Sequence, residues 1–251
     1  MDGKRYRLMI NGFPVEAEFP RREMEQAIDP LIDALLALRG RLSRRAVAFL
    51  AGPPGAGKST LAEVLCARAA ERQADARVQA LGLDGFHYPN AYLNETYRTI
   101  DGARTRLRDV KGRPETFDVR HFAEALARAR TENGVVWPRY DRTTHDVDAR
   151  GAAVTGDVLL VEGNWLLLDA PGWNEARTLC DCTIALRAPE PVLRKRLLAR
   201  KMRGGLSRAE AETWYARVDG PNVARFENGG VPADYNLMYT ENTLKICRRC
   251  V

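Results

Sequence analysis

The sequence predicts an α/β fold: a three-layer sandwich whose central parallel sheet carries helices on both faces, with a helical lid and an N-terminal β-hairpin plus helix. Two observations predict the sandwich. Short strand-like runs at residues 46–51, 77–83, 157–161 and 182–186 alternate with segments of helical spacing. The first run opens into Gly52-Pro-Pro-Gly-Ala-Gly-Lys-Ser-Thr60 and then into a helical stretch at 61–68, the strand, loop and helix that a phosphate-binding G-x-x-x-x-G-K-[ST] turn requires. With 251 residues, 45% hydrophobic and 29% charged, the chain suffices for one substantial core.

At the N-terminus, residues 6–10 and 13–19 read as two short strands joined by Asn11-Gly12, a pair that favours a two-residue hairpin turn. From 22 to 38, Met24, Ala27, Ile28, Leu31, Ile32, Leu35, Leu36 and Leu38 recur at helical spacing, with Pro30 as a split or kink and Gly40 as a stop. Residues 1–44 are therefore expected to form an appendage on a main domain at 45–251. In that domain a second strand at 77–83 runs into Asp84-Gly-Phe-His-Tyr-Pro-Asn90, and a loop with Tyr92, Asn94 and Tyr97 leads to Lys111-Gly-Arg-Pro-Glu-Thr-Phe-Asp118. A helix at 119–130 and a short extended piece and loop at 135–145 follow. Strands at 157–161 and 182–186, helices at 191–201 and 208–217, and a last strand at 234–238 complete the pattern.

Composition narrows the function. No run of about 18 apolar residues is present, so no membrane span is expected, and the first twenty residues lack the apolar core of a signal peptide, which points to the cytosol. Five scattered cysteines suggest no disulfide framework, and Cys247 and Cys250 have C-x-x-C spacing without a second ligand pair. The net charge of +6 comes from dispersed basic residues with no nucleic-acid-reading motif, so an anionic small substrate is expected rather than DNA or RNA. A homodimer is the assembly expected, although no residue pattern signals it.

Glycines 52, 55 and 57 let the loop turn tightly and aim its N–H groups inward, while the helix opening near Lys58 offers uncapped donors and the positive end of its dipole. Gly52, Gly55, Ala56, Gly57, Lys58, Ser59 and Thr60 are thus the candidate nucleoside triphosphate site. Lys58 is placed to reach the outer phosphates, and the Ser59 hydroxyl to ligate the bridging Mg²⁺. In an open parallel sheet ligands collect at the carboxyl ends of strands, which brings Asp84 and Glu162 beside this socket. Phosphoryl transfer to an alcohol needs a proton acceptor, for which Asp84 is the candidate; Glu162 suits the Mg²⁺ hydration shell. A turn cap is the alternative for Asp84, and a core-edge acid for Glu162. Arg194, Arg196, Arg200, Lys201 and Arg203 precede Gly204-Gly205, a basic helix that suits either a lid over the triphosphate, around 194–206, or a solvated face. His87 and His145 fall in strand-exit loops. Phe86, Tyr88, Trp137 and Tyr140 fit either an acceptor pocket or core.

These residues also carry a resemblance. Residues 84–90 resemble the D-G-F-x-x-P-N segment of bacterial type I pantothenate kinases, and 111–118 a following segment of the same enzymes. Trp137-Pro-Arg-Tyr-Asp141 with His145 is similar to the P-x-Y-D-x-x-x-H stretch of uridine kinases, and Leu159-Leu-Val-Glu-Gly163 to the strand and acid shared by both. The resemblance is to the phosphoribulokinase, uridine kinase and pantothenate kinase superfamily of P-loop kinases over residues 45–245. It is nearest to a bacterial subfamily grouped with nucleoside and sugar kinases and sometimes labelled fructokinase, which shares Glu162-Gly-Asn-Trp-Leu-Leu-Leu-Asp169 and Asp219-Gly-Pro-Asn-Val223. It implies an ATP- and Mg²⁺-dependent kinase acting on a hydroxyl of a pantothenate-like, nucleoside or sugar acceptor. By resemblance Asp84 would be the base, Arg200 and Arg203 lid residues, and Tyr140, His145 and Asn222 near the acceptor; Lys58 is the catalytic cation and His87 and Tyr88 the further acceptor-side candidates read from the residues themselves. Glu162-Gly-Asn-Trp165 and the N-terminal hairpin and helix depart from the named enzymes. A switch or remodelling ATPase is the rival class; the missing guanine-reading N-K-x-D disfavours a GTPase switch.

Overall fold

A computed structural model describes residues 3–10, 12–72, 75–240 and 243–248. Strands β1 (Gly3–Ile10) and β2 (Phe13–Pro20) pair antiparallel, with Ile10 opposite Phe13, so two residues turn the hairpin as Asn11-Gly12 predicts. Asn11 itself lies outside the described residues. The following helical run has three parts: α1 (Arg21–Glu23), a π turn at Met24–Ile28 and α2 (Asp29–Gly40). Pro30, at the start of α2, lacks an N–H to give and its ring crowds the carbonyl one turn back; the wider turn before it makes the room.

The chain continues with β3 (Ala46–Ala51), the glycine-rich loop and α3 (Lys58–Glu71), then β4 (Val78–Gly82). A long excursion follows: a 3₁₀ turn at Leu83–Phe86, α4 (Asn90–Glu95), a hairpin of β5 (Tyr97–Ile100) and β6 (Ala103–Arg106), 3₁₀ turns at Leu107–Val110 and Pro114–Thr116, α5 (Val119–Thr131), and a hairpin of β7 (Val136–Asp141) and β8 (Asp146–Ala153). The chain returns in β9 (Val158–Gly163) and continues through α6 (Trp173–Arg177), β10 (Cys182–Arg187), α7 (Glu190–Arg203), α8 (Arg208–Trp214), a π turn at Tyr215–Asp219, α9 (Gly220–Gly229), β11 (Tyr235–Thr240) and β12 (Thr243–Arg248).

Among the described residues the main sheet orders as β12-β11-β10-β3-β9-β4. Neighbours from β11 to β4 run parallel, and β12 closes the edge antiparallel. Residues of β3 alternate between two cores. Ala46, Ala48 and Leu50 face one, with Leu31, Ile32 and Leu35 of α2, Leu61 and Leu65 of α3, and Leu193 and Leu197 of α7. Val47, Phe49 and Ala51 face the other, with Phe122 and Leu126 of α5, Trp173 of α6 and Phe226 of α9. That alternation makes the sheet the middle of three layers. Tyr6 and Phe19 of the N-terminal hairpin join the first core. The start of β3 is pinned by Asp181, which accepts two bonds from Arg44 at 2.6 and 2.7 Å and one from the Val47 N–H at 2.9 Å.

The structure corrects several element expectations. The segment after residue 90, read as a loop, holds α4 and the β5–β6 hairpin, whose four-residue strands are too short and polar to show a period. Residues 146–153, assigned no element from the sequence, form β8, where Asp-Val-Asp-Ala-Arg-Gly-Ala-Ala has no apolar alternation and is held by pairing with β7. Helix α9 and strand β12 are additions to the expected set. Cys247 falls on β12, while Cys250 lies outside the described residues. Among the described residues no helix is long and apolar enough to cross a membrane.

Candidate active site

The sheet order explains why distant residues meet. Strands β3, β9 and β4 are adjacent and parallel, so the turn after β3, the acid at the end of β9 and the acid after β4 emerge side by side. After β3, Gly52 packs so closely that a Cβ there would stand 2.5 Å from the Leu186 carbonyl oxygen, and only glycine fits. Gly55 and Gly57 take φ of +82° and +98°, a left-handed backbone that turns the chain into α3. Gly57 caps α3 with no side-chain acceptor, leaving the first-turn N–H groups of a 14-residue helix to an anion. Ala56 is fully buried under the loop, and Ser59 and Thr60 are half-buried on the first turn of α3.

Lys58 is buried, and its Nζ donates to two neutral oxygens, Pro53 O at 3.1 Å and Asn164 Oδ1 at 2.6 Å. Burial pushes its ammonium down to about 8, against the attraction of Glu162 and Asp84. A buried cation satisfied only by neutral atoms fits phosphate oxygens. The Ser59 hydroxyl donates to Glu162 Oε1 at 2.8 Å. Burial raises the Glu162 carboxyl, partly opposed by Lys58. These two hard oxygens suit Mg²⁺, and among the described residues no cluster of three or more His, Cys, Asp or Glu could hold a metal alone. That set suits an ion carried mainly by phosphates and water.

Asp84 sits in the 3₁₀ turn after β4, and its carboxylate accepts from Arg142 Nη2 at 2.9 Å. Its side chain lies within the protein yet keeps 39% of its surface open. Burial pushes its carboxyl up, but Arg142, reinforced by Lys58 and Arg200, outweighs this and holds it below the usual carboxylate range. Asp84 is therefore ionised near neutral pH. His87 is buried, and burial pushes it down to about 4, so it is neutral. Its Nδ1 lies 2.8 Å from the Asp84 carbonyl, which can only accept; Nδ1 carries the proton and Nε2 is bare. The ring stacks at 3.8 Å on Phe117 and lies 5.5 Å from half-buried Tyr140.

The remaining expected residues are spread more widely. Asn222, on α9, is buried beside Gly112. His145, at φ +53° in the β7–β8 turn, contributes its carbonyl, which accepts from Asn90 Nδ2 at 3.0 Å and Lys111 Nζ at 2.9 Å, while its residue is exposed. Tyr88 packs at 4.5 Å on Tyr92 and against a satellite cluster of Leu93, Ile100, Leu107 and Val110. Phe86 and Trp137 are core: each is 1% exposed, their rings meet edge-on at 4.9 Å, and Trp137 Nε1 donates to Gly82 O at 2.9 Å.

The basic helix α7 divides its charges. Arg200 acts on Asp84 and Lys58 electrostatically and lies 4.0 Å from Asp219. Arg203 is exposed on the last turn. Arg196 donates to the Gly55 and Ala56 carbonyls at 3.3 and 3.4 Å, Lys201 lies 3.9 Å over the Trp214 ring, and Arg194 is 3.8 Å from Glu212. Sequence reasoning missed Asn164 and Arg142. Asn164 stands two residues after Glu162, where the spacing carries no signal for a lysine partner; Arg142 is separated from Asp84 by 58 positions, and no spacing rule joins them. Two cavities, of about 470 and 500 Å³, touch none of Lys58, Asp84 or Glu162.

No protein-family model matches the chain. It is 43% identical over 222 residues to "Uncharacterized protein YggC" of Escherichia coli, covering 87% of this chain and 88% of that one. It is 33% identical over 173 residues to a "Putative uridine kinase" of Schizosaccharomyces pombe, covering 67% and 72%. The pantothenate kinase of Vibrio cholerae matches a shorter stretch, 31% identical over 116 residues, 45% of this chain and 34% of that one. Among solved structures, a "putative fructose transport system kinase" from Silicibacter sp. TM1040 superposes with a TM-score of 0.73 at 30% identity, covering 85% of this chain and 98% of that one.

Proposed function

The chain belongs to the phosphoribulokinase, uridine kinase and pantothenate kinase superfamily of P-loop kinases, and from that premise we propose that it moves the γ-phosphoryl group of ATP, with Mg²⁺, to a hydroxyl of a small metabolite. The observation that carries this reading is the electrostatic coupling of two groups at the ends of β3 and β4, the strands that flank β9. Lys58 is a buried cation with only neutral partners, at the head of an uncapped helix. Asp84 is an ionised carboxylate in electrostatic contact with it.

On this reading the loop amides and Lys58 hold the β- and γ-phosphates, and Ser59 with Glu162 holds Mg²⁺ or its water. The ion, when bound, draws negative charge off the phosphates. Asp84 accepts the proton of the attacking hydroxyl, contributing about 10²–10⁴-fold. Arg142 keeps that carboxylate ionised and aimed. Arg200 adds positive charge opposite Asp84 where charge develops in the transition state, and Arg203 extends the same lid helix. His87, Tyr140, Asn222 and the His145 backbone line the acceptor side. The domain division at residue 44 and the lid at 194–206 belong to the same proposal.

The test is acceptor-dependent ADP release across a panel of alcohols, with Asp84→Asn as the comparison. Asp84→Asn is expected to bind ATP as the wild type does and to lose about 10²–10⁴-fold in turnover. Unchanged turnover would place the proton acceptor elsewhere.

A further inference from the structure

The proposed acceptor side carries cations that its own carboxylates do not match. Arg108 Nη1 and Lys111 Nζ donate to one neutral atom, Asn90 Oδ1, at 2.7 and 2.8 Å, and Lys111 donates again to the His145 carbonyl. Among the described residues neither has a carboxylate in ion-pair range. Asp146, which attracts Lys111, has its Oδ1 occupied by the N–H groups of Asn90 and Val147. Burial pushes Lys111 down to about 8, with the Arg108 charge adding to the effect. Two adjacent cations sharing a neutral acceptor repel each other and are costly to hold together unless an anion joins them.

Their placement points the same way. Lys111 Nζ lies 4.8 Å from the Tyr140 ring centroid, and Arg142, the partner of Asp84, lies 5.2 Å from it. One aromatic ring thus links the cation pair to the candidate base, a span that a small metabolite covers. Asn90 is itself fixed, its N–H on Asp146 and its Nδ2 on the His145 carbonyl, so it holds the two cationic heads in a preset fork.

We propose that the phosphoryl acceptor carries an anionic group, a carboxylate or a phosphate, which Arg108 and Lys111 bind while the acceptor hydroxyl faces Asp84. This rests on the kinase reading and narrows it: a neutral nucleoside or sugar leaves both cations unmatched and is discriminated against.

The test begins with binding. With the phosphate loop filled by Mg²⁺ and a non-hydrolysable ATP analogue, the full chain is titrated with inorganic phosphate and separately with succinate by calorimetry. Binding is expected to weaken about 10-fold or more in Arg108→Gln and in Lys111→Gln, to be retained in Lys111→Arg, and to be unchanged in Arg104→Gln on the β5–β6 hairpin. The tighter of the two anions identifies the group. No binding of either, or equal binding in all variants, overturns the proposal. Turnover separates it from its premise. ADP release is measured with neutral alcohols and their carboxylated or phosphorylated counterparts. Neutral members turned over as well as anionic ones overturn the proposal and leave the kinase reading standing. No turnover with any member, with anion binding intact, removes the kinase reading and with it the acceptor role.

Discussion

Gly85→Ala tests how the candidate base is held. A Cβ at Gly85 would stand 2.1 Å from the Pro138 carbonyl oxygen, 2.5 Å from its carbon and 2.9 Å from the Arg139 nitrogen. All three are backbone atoms of β7, and Trp137 Nε1 ties that strand to Gly82, so no side chain can swing aside. The 3₁₀ turn and β7 must therefore part by about 1 Å, an overpacking cost of about 1–3 kcal/mol. At about 2–4 °C per kcal/mol for a chain of this size, Tm is expected to fall by roughly 2–12 °C. Asp84 lies directly before Gly85, while Tyr140 and Arg142 follow Pro138, so the displacement separates the groups said to face the acceptor. A shift of about 1 Å costs about 10² in rate. The assay pairs thermal melting with turnover at saturating ATP, and with affinity for an ATP analogue, which should hold because the phosphate loop leaves a different strand. Gly102→Ala, at φ +79° with open space around it, is the control: strain without loss of rate. A Gly85→Ala protein with wild-type melting and turnover would refute the view that this close approach aims Asp84.

Two further predictions concern pH. Lys58, pushed down to about 8 by burial, is a cation below that pH and neutral above it, so kcat/KM for ATP is expected to fall as pH rises through about 8; a flat profile to pH 9.5 would count against its phosphate contact. Arg142→Gln removes the largest influence that lowers Asp84 while burial still raises it. The acid limb of kcat/KM for the acceptor should therefore move toward neutral pH, and an unmoved limb would mean that Asp84 is not the titrating base. A third concerns stability. Asp181→Ala leaves Arg44 and the Val47 N–H without their acceptor; the side chain is 13% exposed, so about 3 kcal/mol should be lost in urea denaturation, and less than about 1 kcal/mol would show that water replaces the carboxylate.

What the sequence revealed depended on how local the cause was. The phosphate loop was legible because glycine, lysine and serine act there within nine consecutive residues, and the strands before Gly52 and Glu162 were legible as apolar runs. The placement of Asp84 and Glu162 beside the loop followed from one topological rule, which the adjacency of β3, β9 and β4 satisfies. Strand β8 was not legible, because it is held by pairing with β7 and carries Asp, Arg and Gly where a period would show. The fate of the aromatics was equally hidden. Phe86, on the turn after β4, and Trp137, on β7, went to core, whereas Tyr140 stays half-buried beside His87, Lys111 and Arg142. The Arg142–Asp84 pair and the Asn90 fork are contacts across the fold, and composition carries no trace of them.

The long excursion between β4 and β9 has an evolutionary consequence. Groups proposed to bind the phosphate donor grow from the shared parallel strands, whereas most of those proposed to meet the acceptor ride on short hairpins and turns inserted between two neighbouring strands. On the proposed function, mutations in the insert would retune selectivity without touching the groups proposed to handle nucleotide, much as a lock barrel is exchanged within an unchanged door. On the proposed function, exchanging that one continuous stretch between relatives should change which acceptor is taken and leave the nucleotide site as it was.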